Sequence, residues 1–79
     1  MDSELTSKKL LIVEDDLDIA KLITLNLKGM GMQIEHVASG SQAYKQIQSK
    51  KYDLVILDLM LPEMDGFEIC KRIRAEKIF

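Results

Sequence analysis

Cysteine occurs once in this 79-residue chain, at Cys70, so there is no internal disulfide and no Cys-x-x-Cys pair for a metal. Both fit a reducing compartment. Proline also occurs once and glycine four times, too few for a collagen-like or a Pro/Gly-rich disordered chain. A surplus of positive charge is missing: 11 Lys and Arg against 13 Asp and Glu leave a net charge of -2. Nucleic acid is therefore not expected as the main partner, since neutralising phosphates requires a basic face. No apolar run approaches a membrane span, and the opening MDSELTSKK lacks the apolar core of a signal peptide. A cytoplasmic protein is expected. The single histidine, His36, has no second ligand at metal spacing and is read as structural. No Gly-rich phosphate loop of the GxGxxG type follows the first apolar run, which argues against nucleotide binding.

What remains is an ordinary globular composition, 47% hydrophobic and 30% charged, sized for one small domain over residues 1–79. Residues 1–7 are polar, without periodicity, and expected to be a mobile lead-in. Lys9 to Val13 (KLLIV) reads as a buried strand and ends in Glu14-Asp15-Asp16. Leu17 to Lys28 reads as a helix, with Asp16 as N-cap and Gly29 or Gly31 as stop. At 100° per residue, Ile19, Ala20, Ile23 and Leu27 share one face, and Leu22 and Leu25 widen the apolar arc to roughly 220°. That is more than one sheet face can cover.

Met32 to Ala38 alternates imperfectly and suits an edge strand. Ser39 and Gln42 have capping-box spacing, opening a second helix to about Ser49 with Ala43, Tyr44 and Ile47 inward. Leu54 to Leu57 (LVIL) is again a continuous apolar run, expected to be buried on both faces, and it closes with Asp58. Pro62 and Asp65-Gly66 then open a loop. Phe67 to about Glu76 follows as a third helix, with Phe67, Ile69, Cys70 and Ile73 on its apolar side. Cys70 is accordingly read as a packed thiol, and Lys71, Arg72 and Arg74 as a solvated face.

A β-α-β-α-β-α order implies a parallel sheet with right-handed crossovers. In a strand order of 2-1-3 the first and third strands are neighbours about 4.8 Å apart, and their carboxyl ends bring Glu14, Asp15 and Asp58 together. Three carboxylates so placed repel one another until a cation or a raised pKa relieves them. A hard, oxygen-liking ion such as Mg²⁺ suits the donor set, and an aspartate beside it can act as a nucleophile toward phosphorus. The plainer alternative makes these acids helix caps and solvated loop charges.

LLIVEDD at the first strand, DLVILDLMLPEMDGFE at the third, and the spacing between them resemble the receiver domain of two-component response regulators. The resemblance implies an α/β, flavodoxin-like fold, of which this chain carries three of five βα units in the order 2-1-3. It implies that Asp58 is the phosphoacceptor, Asp15 the main Mg²⁺ ligand, Glu14 the second member of the acidic pair, and the Met60 backbone carbonyl a further ligand. The phosphoryl donor it implies is a phosphohistidine on a sensor histidine kinase. The family's sheet continues 2-1-3-4-5, with a Ser or Thr after the fourth strand and a Lys after the fifth. Without those two groups phosphorylation of this stretch is expected to be slow or undetectable. The third strand is expected at a sheet edge, where Leu54 to Leu57 would favour a homodimer or other self-association. Two further readings follow: an interaction module that pairs receivers without efficient phosphotransfer, and a phosphohydrolase of the haloacid dehalogenase type. The last is disfavoured because Met60 stands where that class carries its acid.

Overall fold

Leu10, Leu11 and Ile12 are 0% exposed and Val13 1%, and a run of four consecutive apolar side chains can be buried so completely only with a layer on each side of it. These residues belong to β1 (Lys9–Val13), the middle strand of a three-stranded sheet. The computed structural model describes residues 8–58, 64 and 66–77. Around β1 stand α1 (Leu17–Lys28), β2 (Gln33–Val37), α2 (Gly40–Ser49), β3 (Leu54–Leu57) and α3 (Gly66–Ala75). Both neighbours of β1 run parallel to it, in the order β2-β1-β3. The expected topology is therefore the one found.

Alternation along β1 sends Leu11 and Val13 to one side of the sheet and Leu10 and Ile12 to the other. On the first side Leu11 and Val13 join Ala43 and Ile47 of α2, Tyr52 and Ile69 of α3 in the core cluster, with Val55, Leu57 and Ile73 packed against it. On the second side α1 contributes Ala20, the residue it buries fully. Asp16 caps α1 as its position implies, its carboxylate accepting from the backbone N–H of Asp18 at 2.9 Å and of Ile19 at 3.2 Å. Ser39 Oγ accepts from Gln42 N–H at 3.3 Å. The return bond of the capping box is shifted by one residue, Gln42 Oε1 accepting from Ala38 N–H at 3.4 Å rather than from Ser39.

Four expectations about faces need correction. Ile19 is 45% exposed, because α1 rests on the sheet along the line of Ala20 and leaves the rest of its apolar arc to solvent. Phe67, at the first turn of α3, is 68% exposed, while Ile69 takes the core position and Cys70 is half-buried. Tyr44 is half-buried; its hydroxyl donates to Glu76 and its ring lies 5.4 Å under the Arg72 guanidinium. Leu54 is 48% exposed and the rest of β3 half-buried, because β3 is an edge strand and not the doubly covered one its composition implies. The strand expected over Met32 to Ala38 is trimmed to Gln33–Val37. The lead-in at 1–7, and Pro62 and Asp65, lie outside the described residues.

Candidate functional site

The ladder that aligns the strands continues for one bond beyond each of them, and both bonds are made by acidic residues. Asp58 N–H donates to the Val13 carbonyl at 3.0 Å, and Glu14 N–H donates to the Val37 carbonyl at 3.1 Å. With Val13 in register with Leu57, Glu14 is carried alongside Asp58, and Asp15 follows at the start of the loop to α1. Glu14, Asp15 and Asp58 each present a carboxylate oxygen, and these lie within 4.8 Å of one another. Glu14 and Asp58 are half-buried and Asp15 is exposed. Asp16, the next acid in the run, is turned instead to the N-terminus of α1.

Crowding leaves its mark on Glu14, whose pKa is raised above the ordinary carboxylate value. The main cause is partial desolvation; the Asp58 charge and hydrogen bonding to Asp15 and Asp58 add to it, while the Asp16 N–H, donated to Glu14 Oε2 at 3.1 Å, pulls the other way. A three-carboxylate cluster without nitrogen or sulfur donors fits a small hard dication, which would relieve this repulsion and complete its shell with water or a phosphate oxygen. Met60, whose carbonyl is expected as a further ligand, lies outside the described residues.

The Glu14 carbonyl reveals a contact that the sequence reading did not anticipate. His36 Nε2 lies 2.7 Å from this oxygen, so a residue read only as structural touches the backbone of the acidic pair. Parity alone offered a weak signal, since the alternation of β2 does not say which loop the longer side chains reach.

Comparison with known proteins bears on the same residues. A family profile described as the response regulator receiver domain matches residues 10–78. The alkaline phosphatase synthesis transcriptional regulatory protein PhoP of Bacillus subtilis is 39% identical over 72 residues, which is 91% of this chain and 30% of that protein. The DNA-binding response regulator MtrA of Mycolicibacterium smegmatis is 39% identical over 69 residues, 87% of this chain and 30% of its own length. The chain thus spans about a third of the curated relatives it matches. Among solved structures, response regulator TrrA of Thermotoga maritima, in complex with Mg²⁺-BeF, is 37% identical with a TM-score of 0.85, covering 90% of this chain and 62% of that one. The receiver domain of a sensor histidine kinase from Pseudomonas aeruginosa, with a magnesium ion coordinated in its active-site cleft, is 32% identical with a TM-score of 0.82, covering 87% and 57%. None of the described helices is long and apolar enough to cross a membrane.

Proposed function

We propose that this chain, which belongs to the response-regulator receiver family, accepts a phosphoryl group on Asp58 from a phosphohistidine of a sensor histidine kinase. The observation that carries this reading is the convergence of Glu14, Asp15 and Asp58 within 4.8 Å at the carboxyl end of a parallel sheet, the place where such sheets put their ligand chemistry. A carboxylate oxygen of Asp58 attacks phosphorus as the bond from phosphorus to the imidazole nitrogen breaks. The electron pair returns to the imidazole, and an acyl phosphate stands on Asp58. Glu14, Asp15 and Asp58 would hold Mg²⁺, with the Met60 carbonyl as a further ligand, and the ion's chemistry is to neutralise the phosphoryl oxygens during transfer.

The backbone of Asp58 is tied to Val13, which fixes where its side chain leaves the end of β3. The relevant partner is then the kinase, with neither nucleic acid nor membrane contacted directly, and the setting is the cytoplasm. Transcriptional regulation, stated for PhoP in its name, and DNA binding, stated for MtrA in its name, would belong to a longer protein carrying this receiver. Incubation with acetyl phosphate or a phosphorylated kinase in Mg²⁺ tests the assignment. The expected result is a base-labile label that disappears in Asp58→Asn; label retained in that variant would refute it.

A second reading has one observation in its favour. β3 lies at the sheet edge with Leu54 48% exposed, and an apolar edge strand is a template for pairing. We propose that the 79 residues by themselves form a homodimer through this edge. Light scattering should report twice the monomer mass, reduced to the monomer by Val55→Lys; a dimer indifferent to that change would move the interface elsewhere.

A further inference from the structure

We infer that His36 is a positioning residue for the acidic pair: its Nε2–H, donated to the Glu14 carbonyl, fixes the peptide plane from which Asp15 departs. A carbonyl oxygen can only accept, so at 2.7 Å the imidazole nitrogen must carry the proton. The neighbouring residue of the same strand makes the companion contact, Val37 accepting from Glu14 N–H at 3.1 Å. Glu14 is therefore held through the peptide units on both sides of its Cα, and both holds come from β2.

Peptide units are planar. A fixed Glu14 carbonyl consequently fixes the Asp15 N–H and the placement of the Asp15 Cα. This matters for Asp15 because its side chain is exposed, so its placement depends on where the backbone puts its Cα. The Glu14 carboxylate bends back to the Asp16 N–H, so the turn that presents the two acids is shaped by backbone contacts. The bond from His36 lies beyond the last ladder pair of β1 and β2, Val13 with Val37. The sheet does not depend on it, and His36 itself is exposed, so the contact orders the site rather than the core. Ligand-orienting contacts of this kind typically alter metal affinity by about 10- to 100-fold, and exposure places His36 at or below the lower end.

The inference rests on the reading that the acidic cluster binds a divalent cation, and the experiment separates the two. Isotope-labelled parent, His36→Val, His36→Gln and Asp58→Asn proteins are titrated with MgCl₂ at neutral pH and followed by NMR, with thermal melts alongside. Valine keeps an edge strand but donates nothing; glutamine places an N–H where Nε2 stood. His36→Val should weaken Mg²⁺ binding by about 3- to 10-fold, His36→Gln should recover most of the loss, and the two should melt alike. The parent imidazole should be the tautomer protonated at Nε2. Mg²⁺ affinity unchanged in His36→Val, glutamine as poor as valine, or an imidazole protonated at Nδ1 alone overturns the role of His36 while leaving the cation site intact. A parent that binds no Mg²⁺, or an Asp58→Asn protein that binds it equally well, overturns the site and His36 with it. Should His36→Val fail to fold, the tautomer and the glutamine variant still decide.

Discussion

The two faces of the sheet are built from the same residue types and end in opposite conditions. On the face of Leu11 and Val13 two helices close the surface, and Leu11 and Ile69 are 0% exposed. On the face of Leu10 and Ile12 a single helix lies across the strands, and its Leu17, Leu22 and Leu25 stand 60%, 60% and 70% exposed. Leucine in β1 and leucine in α1 are equally apolar. What differs is the number of layers available to cover them, so apolar character measures a demand for burial and topology decides whether that demand is met.

Truncating one leucine on each side tests the contrast most directly. Leu11→Ala removes a fully buried side chain and should cost about 2–5 kcal/mol, a large part of the stability of so small a domain. Leu25→Ala should change stability by no more than about 0.5 kcal/mol. Urea unfolding followed by circular dichroism measures both. Equal losses would mean that the α1 face is covered in solution.

Two glycines sharpen the same comparison at a smaller scale. A Cβ added at Gly40, where α2 starts on the closed side, would run into the Met64 backbone carbonyl, so helix and loop must move apart at about 1–3 kcal/mol. At Gly29, the C-cap of α1, nothing lies within 4 Å and φ is -65°. Gly29→Ala should therefore be neutral or stabilise by about 0.4–1 kcal/mol through the unfolded chain. Thermal melts of the two variants should move in opposite directions, or Gly29→Ala not at all.

The last contrast concerns the end of the sheet away from the acids. Tyr52 donates its hydroxyl to Glu35 Oε1 at 2.5 Å, and burial, reinforced by that carboxylate, pushes its pKa up to about 12. Because the folded state favours the protonated phenol, this contribution to stability is intact below the ordinary pKa of 10.0 and is lost as pH rises toward about 12. Absorbance titration should show one tyrosine ionising near that value. Glu35 is held below the ordinary carboxylate value, first by Tyr52 and then by Lys50. Its contribution is present above the ordinary value and fades as pH falls through the lowered one; being 40% exposed, it is screened and small. Tyr52→Phe should bring the Glu35 titration, followed by NMR, back toward its ordinary value.

Much of this architecture is legible in the residues. Two uninterrupted apolar runs ending in acid, Asp16 ahead of an apolar helix, and Ser39 three residues before Gln42 suffice for strands, caps and parallel order, because each is a local rule. Strand order then places Glu14 beside Asp58 without further information. Ile19 and Phe67 mislead because a helical projection identifies an apolar side but not the atoms that meet it. The displaced return bond of Gln42 depends on how the chain leaves β2. The contact of His36 with Glu14 spans 22 residues and depends on side-chain reach, which periodicity does not encode.

One feature of the site makes it self-reporting. Asp58 and Glu14 donate their own amides to carbonyls of the neighbouring strand, so solvent deuterium can replace those hydrogens only when the strand ends part. Slow exchange of these two amides should mark the acids themselves. Their rates would time the separation of β3 from β1 and of β1 from β2 independently, one acid for each seam.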